Sequence, residues 1–597
     1  MENGLYSVPQ QASKVFREGI LGSPRTSQHL IDDLEKYDTV VFEGSQDPIV
    51  PVNWRFAESV SALKALEATY VNAILDKLYG VPPQKAFINT DHATLFLLSI
   101  PLWSLDPEGK NISFVDIRSD AAAKEFYLSL FKDFDTHKSL EGAYRCCTSN
   151  IYRTSDGRFF HLHGSLNPDV VLRMLKFPLM PPGGEDTFEK VLPMFREALS
   201  QCDSKSIDEL SNDVFKTSGT ICHDINGYRR TLHGIANSHV GLWESYKANN
   251  TQPPCWWTDA VGNKPSNPSR PLAGLKVLDA TRIIAGPAVT RGLAELGATV
   301  LRITSPSVPD ATIYHPEFNW GKQNAALDFA NEADRETMKK LILECDVFVS
   351  SYRPEVMEKW GFGADQIMEM CKDRSKGIIV VRLNCFGWHG PLRLRSGWQQ
   401  ISDAHTGVSY EFGRSMGNDE PVTPVFPNSD FWYYKSPPNH TNERVRNTDY
   451  CSTGILGICS VLDALIRRGE DGGSYKINLA LDYYNNWLVN DVGTYSEETW
   501  DKLRRHYDSP VFRHDDHMLV LISRVMSMLK DKSSHLFDPK FFESRPCPNL
   551  GISIRTVKPV IQFDGVVKPG FDIGTRGNGV DEARWTSEAI ESAAIET

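Results

Sequence analysis

Apolar residues fall into short continuous runs in the second half of the chain. Pro271 to Asp279 reads as a turn feeding a buried strand, Thr281 to Pro287 as a loop, and Ala288 to Leu296 as a helix of small residues. Gly297 to Ile303 then returns as a second strand. Apolar runs of this length alternating with helices predict parallel βαβ units. Such sheets bind ligands at the carboxyl ends of their strands. Further along, Ala333–Cys345 predicts a helix, Val347–Ser350 a strand, Glu355–Trp360 a short helix and Gly377–Leu383 a buried strand. A strong helix over Gly454–Arg468, a strand over Tyr475–Leu481 and a helix over Tyr483–Val492 follow.

The first half is patterned differently. Residues 1–50 are polar and broken by prolines. From Trp54 to Tyr79 the spacing of Phe56, Val60, Leu63, Leu66, Tyr70, Ile74 and Leu78 is helical. Gly80-Val81-Pro82-Pro83 stops that helix, and Lys85–Asn89 follows as a strand. Ile151–Thr154 and Arg158–Leu162 predict a hairpin across Ser155-Asp156-Gly157. Residues 170–245 read as helical, and the proline- and asparagine-rich stretch 251–270 as a linker. The helix, glycine, strand and helix of 58–99 echo those of 454–492, which points to an internal duplication. The expected organisation is a polar segment 1–50, an incomplete α/β region 51–250, the linker, a core domain 271–500 and a C-terminal region 501–597.

Composition narrows the function. At 597 residues the chain exceeds what one core holds. A net charge of −12 argues against nucleic acid as a partner. No run of about 18 apolar residues predicts a membrane span, and Met1–Gly19 lacks the apolar centre of a secretion signal. The 11 scattered cysteines suit a reduced compartment, so an intracellular and chiefly cytoplasmic protein is expected, with mitochondrion and peroxisome left open. No Cys/His cluster has ligand spacing, so no metal is expected. The turn after the first strand has one Gly-Pro where a dinucleotide site needs G-x-G-x-x-G, which weighs against a nicotinamide dehydrogenase.

Several ordered motifs carry a family resemblance. They are Pro271–Asp279, Ala285-Gly286-Pro287, Asn319-Trp320-Gly321-Lys322, Tyr352–Met357, Gly361-Phe362-Gly363, Phe386–Pro391, and Thr453-Gly454 leading into Asp463–Arg468. Together they resemble the family III CoA-transferases (the CaiB/BaiF family), clearly over roughly 271–495. Tyr152–Arg158 resembles a later part of the same pattern, as in long, internally duplicated fungal members. The resemblance implies Rossmann-like parallel sheets of the family III type, duplicated, with a smaller α+β region. It also implies a homodimer, with an acyl-CoA and a carboxylic acid as substrates and no permanently bound cofactor.

The implied reaction runs through an aspartate that attacks the donor thioester and becomes an aspartyl-CoA thioester. In the family this aspartate precedes a Thr-Gly helix start, which supplies N–H donors and a positive dipole. Here Asp449 stands before Tyr450-Cys451-Ser452-Thr453-Gly454, one residue further away than the family spacing. Asp430 competes, because 431–449 reads as an insertion that would otherwise bring Asp430 next to Tyr450. Candidate CoA ligands are Arg302, Lys322 and Arg353, with Gly387 and Gly390 in a loop shaping the acyl pocket. A racemase of the same family needs a His–Asp pair where Trp398 and Gln399 stand, which favours the transferase. A catalytically impaired paralogue is the other alternative.

Overall fold

The computed structural model describes residues 6–28, 30–100, 102–139, 141–249, 252–258, 267–425 and 452–585. Helix α1 (Phe56–Ile74) is buried along nearly its whole length, which explains why its apolar residues extend beyond one stripe. The main sheet has seven strands: β1 (Glu244–Lys247), β2 (Lys276–Ala280), β3 (Thr299–Thr304), β4 (Lys322–Ala326), β5 (Val347–Ser350), β6 (Ile379–Asn384) and β7 (Tyr475–Ala480). Their order is β4-β3-β2-β5-β6-β7-β1, and every pairing is parallel except β7 with β1. From β2 the chain runs outward to β3 and β4, then crosses to β5 on the other side. That reversal creates a crevice beyond the carboxyl ends of β2 and β5.

Helix α2 (Ala285–Glu295) connects β2 to β3, α3 (Gln399–Thr406) follows β6, α4 (Ser452–Asp471) precedes β7, and α5 (Leu481–Trp487) follows it. Small residues let α2 and α4 touch. A Cβ on Gly292 would meet Ile458 Cδ1 at 2.0 Å, and one on Gly454 would meet Ala288 Cβ at 2.5 Å. On its other side α4 holds α1 through Tyr70, whose hydroxyl donates to Asp463 Oδ1 at 3.0 Å in a buried position. The helix–strand–helix of 56–97 and that of α4, β7 and α5 thus have the same order, and their leading helices pack together.

Several expected elements shift. The helix expected from Ala288 starts at Ala285, and the one expected at Gly454–Arg468 spans Ser452–Asp471. The hairpin forms as Asn150–Arg153 with Phe159–His163, and gains a third strand, Ser218–Ile221, from a region read as helical. Strand β1 comes from that region too, and it closes the sheet lying beyond the expected linker. The described part of that linker is packed: Gln252 Nε2 donates to Cys371 O at 2.9 Å, and Trp257 Nε1 to Ala273 O at 3.0 Å. The C-terminal region adds Ile561–Phe563 to the strand Ala86–Asn89, and Ile552–Val557 to Ser104–Leu105. Among the described residues no helix is long and apolar enough to cross a membrane.

Candidate active site

A cleft of about 410 Å³ opens at the carboxyl ends of β2, β5 and β6. One wall comes from Arg282, Ile283 and the start of α2, and a second from Ser351–Pro354. Cys385 and Trp398 line its inner side, while Ser165, Leu166, Lys216 and Ser218 close it from the N-terminal half. The chain leaving β2 turns sharply to make the first wall. Ile283, a β-branched residue, takes φ of 68°, and Ile284 follows at φ −120°, ψ −68°. Such backbone costs about 1–3 kcal/mol and persists only where neighbours enforce it. Here Ser351 Oγ accepts from Arg282 N at 3.1 Å, and Thr281 N donates to Asp279 Oδ1 at 3.0 Å.

Arg282 and Arg353 face this cleft. The Arg282 guanidinium lies 5.8 Å from the centre of the Tyr352 ring, and its buried Nε has no hydrogen-bond partner. Arg353 is exposed. Among the described residues neither guanidinium forms an ion pair or a side-chain hydrogen bond. Arg395, also on the lining, is committed to Asp208 at 2.8 and 3.0 Å.

The other two expected cations lie inside the sheet. Lys322 is fully buried, with Nζ 3.0 Å from Asp279 Oδ2 and 2.8 Å from Pro287 O. Burial lowers its pKa to about 8. Burial also pushes the Asp279 carboxyl up, but the charges of Lys322 and Arg302 outweigh it and hold the group below its usual range. Arg302 is equally enclosed, donating to Asp310 Oδ2 at 2.8 Å, Asn578 Oδ1 at 2.8 Å and Asn319 Oδ1 at 3.1 Å. Arg302 and Lys322, the two cations expected to meet phosphate, thus lie inside the sheet, each paired with a buried carboxylate.

The two glycines expected to shape the acyl pocket, Gly387 and Gly390, sit in a tightly packed turn. A Cβ on Gly387 would meet Asn237 Oδ1 and Tyr483 Cε1, each at 2.7 Å, and one on Gly390 would meet His233 Nδ1 at 2.9 Å. Both are off the cleft lining, in a turn packed against the segment Leu232–Asn237. Asp430 and Asp449 lie outside the described residues.

Trp398 presents its ring to the cleft, stacked on His163 at 5.4 Å with an 11° tilt, and donates from Nε1 to Ser165 Oγ at 2.9 Å. Gln399 points inward to Asp403, a carboxyl that also accepts from Asn485 Nδ2 at 2.9 Å. Burial pushes Asp403 up to about 8. Ser402 and His405 on the same helix bind Asp482 at 2.6 and 2.8 Å, which locks α3 to α5. Among the described residues the cleft lining contains no Asp, Glu or His.

Sequence reasoning passed over Arg282 and Lys216. Arg282 sits immediately beyond the first parallel strand, where ligands dock, and that position is the signal that could have found it. For Lys216 only its φ of 54°, visible in the structure, marks the site.

Comparison with known proteins agrees with this geometry. Residues 272–513 match the family described as CoA-transferase family III. An acetyl-coenzyme A transferase (nodX) of Hypoxylon pulicicidum is 43% identical over 98% of this chain and 94% of its own length. An acyl-CoA transferase of Gibberella moniliformis is 28% identical over 88% of this chain and 87% of its own. A solved CaiB/BaiF family protein from Brucella suis aligns over 37% of this chain and 56% of its own, at 24% identity and a TM-score of 0.28, and adds nothing to the full-length match. With that full-length relative and the βαβ cleft together, the chain belongs to the family III CoA-transferases.

Proposed function

We propose that the strand-end cleft holds an acyl-CoA and that the enzyme passes its CoA to a second carboxylic acid through an aspartyl intermediate. The observation that carries this reading is the pair of cations beside the cleft, Arg282 and Arg353, which form no ion pair among the described residues. Guanidinium groups bind phosphate oxygens with two parallel N–H donors, which suits the anionic part of CoA. The first residues of α2 add backbone N–H groups on the same side.

The described residues of the cleft lining supply no carboxylate, so the aspartyl route needs one from outside the described residues. Asp449 suits that role better than Asp430. It lies five residues before Gly454 in the sequence, nearer than Asp430 to the Thr453-Gly454 stretch that opens α4. The aspartate oxygen attacks the thioester carbonyl, the C–S bond breaks, and CoA leaves as its thiolate with an aspartyl–acyl anhydride behind it. The thiolate then attacks the aspartyl carbonyl and expels the first acid as its carboxylate. An acceptor carboxylate attacks the aspartyl-CoA thioester in turn, and the returning thiolate takes the acceptor's acyl group and frees the aspartate. Each step exchanges one acyl bond for another, so neither metal nor redox cofactor enters the scheme. The lack of any His or carboxylate on the described lining weighs against the racemase, which needs bases at the α-carbon.

Acetyl-CoA is the first donor to assay, since the Hypoxylon relative is an acetyl-coenzyme A transferase. Hydroxylamine trapping in the presence of acyl-CoA tests the mechanism. Mass spectrometry is expected to find a hydroxamate at Asp449, and labelling at neither Asp449 nor Asp430, with CoA still bound, would overturn it. The homodimer implied by the family belongs to the same proposal and is checked by light scattering.

A further inference from the structure

On the side of the sheet where β1 joins β7, three metal-type donors converge from distant parts of the chain. His239 lies two residues beyond the helix Leu232–Asn237, Glu244 opens β1, and His389 sits in the turn after β6. Their ligand atoms all lie within 4.8 Å of one another. His389 Nε2 is 2.6 Å from Glu244 Oε1, and the two imidazole rings are 4.9 Å apart, edge to face.

The carboxylate is held in place from behind. Tyr246 donates its hydroxyl to Oε1 at 2.6 Å, Tyr483 donates to Oε2 at 2.8 Å, and Asn478 Nδ2 to Oε2 at 3.2 Å. Outer contacts of this kind fix ligand orientation in metal sites, and losing them typically weakens metal affinity by about 10–100-fold. His239 is exposed, so the site opens to solvent on one side. Two imidazoles, one carboxylate and an open position suit a borderline divalent cation such as Zn²⁺.

We propose that His239, Glu244 and His389 bind a Zn²⁺-class divalent cation that staples the turn after β6 to the edge strand β1. Binding replaces the His389–Glu244 hydrogen bond: the imidazole coordinates as its neutral form through Nε2, with its one N–H then on Nδ1. The staple bears on the cleft, because the turn starts at its wall. Asn384, a lining residue, donates to Gly387 O at 2.8 Å, and Trp388 N donates to the Tyr483 hydroxyl at 3.0 Å.

The full chain, stripped with a chelator and dialysed, is titrated with Zn²⁺ against a chromophoric chelator. Co²⁺ absorption in the visible region reports the coordination. One tight equivalent per chain is expected, and His239→Ala is expected to weaken it at least about tenfold. His506→Ala, an exposed histidine elsewhere, leaves binding unchanged. Because His239 is exposed, the melting temperature of the metal-free His239→Ala protein shows directly that it is folded. Glu244→Gln is the second variant, expected to lose binding as well. Absence of a stoichiometric equivalent, or binding indifferent to His239→Ala, overturns the proposal and leaves the three side chains as a hydrogen-bonded clamp.

Discussion

Lys322 and Arg302 stand inside the sheet, and Arg282 and Arg353 stand at its carboxyl edge, yet all four are cations on or beside the same βαβ unit. The interior pair faces Asp279 and Asp310 at 3.0 and 2.8 Å and is shut away from solvent. The edge pair forms no ion pair among the described residues, although the charge of Arg282 reaches Asp310, and it lines a cleft. A charge in a motif becomes a ligand only where the fold leaves it unneutralised. Burying a charge alone costs several kcal/mol, so interior cations come with their anions already supplied. A cation at a strand end is partly hydrated and keeps its capacity for an incoming phosphate.

The strongest way to break this contrast is Lys322→Ala. It leaves Asp279 buried without its cation, and a loss of about 3–5 kcal/mol is expected, read as a lowered urea midpoint. A variant of unchanged stability that no longer binds CoA would reverse the assignment of the two pairs. Arg353→Ala and Arg282→Ala are the converse test. Each removes a charged donor worth about 1.5–3 kcal/mol to a bound anion, so CoA affinity is expected to fall roughly tenfold or more. Calorimetric titration measures that loss, and the melting temperature stays at the wild-type value. Unfolding in either variant would place Arg353 or Arg282 with the interior pair.

The smallest effect concerns a buried carboxyl with no cation at all. Asp279 and Asp310 are held below the usual range by their cations, whereas Asp403 meets only amides and burial pushes it up to about 8. A raised carboxyl keeps its proton in the folded state while the unfolded chain has lost it. Its contribution is therefore complete below the unfolded value near 3.8 and is lost as pH rises through about 8. Urea midpoints between pH 6 and 9 are expected to fall in the wild type and to fall less steeply in Asp403→Asn. Equal slopes would show that Asp403 is ionised in the folded protein.

The parallel strands were legible because a strand buried on both faces must be apolar almost throughout, as Val347–Ser350 and Ile379–Leu383 are. Ser218–Ile221 and Glu244–Lys247 were not, since short strands of serine, glycine and charged residues carry no period. Asp279 within Val277-Leu278-Asp279-Ala280 and Arg302 within Val300-Leu301-Arg302-Ile303 did hold a signal. Charges in fully apolar strands must find buried partners, and that reading would have pointed to an interior carboxylate for Arg302. The domain boundaries were less visible, because the stretches 542–563 and 244–247 join sheets belonging to other parts of the chain.

By itself the sequence determined the α/β class, the parallel strands and their ligand-bearing ends, and the ordered motifs that marked the family. These follow from local spacing and from turn chemistry, which each short segment carries within itself. Tertiary structure alone decided which cations are paired with buried carboxylates, how the N-terminal half closes the cleft, and that His239 and Glu244 meet His389. Neutralisation and coordination depend on neighbours brought together by folding. Lys322 lies 43 positions from Asp279, and His389 lies 145 from Glu244. No local pattern ties residues so far apart; only the packed sheet does.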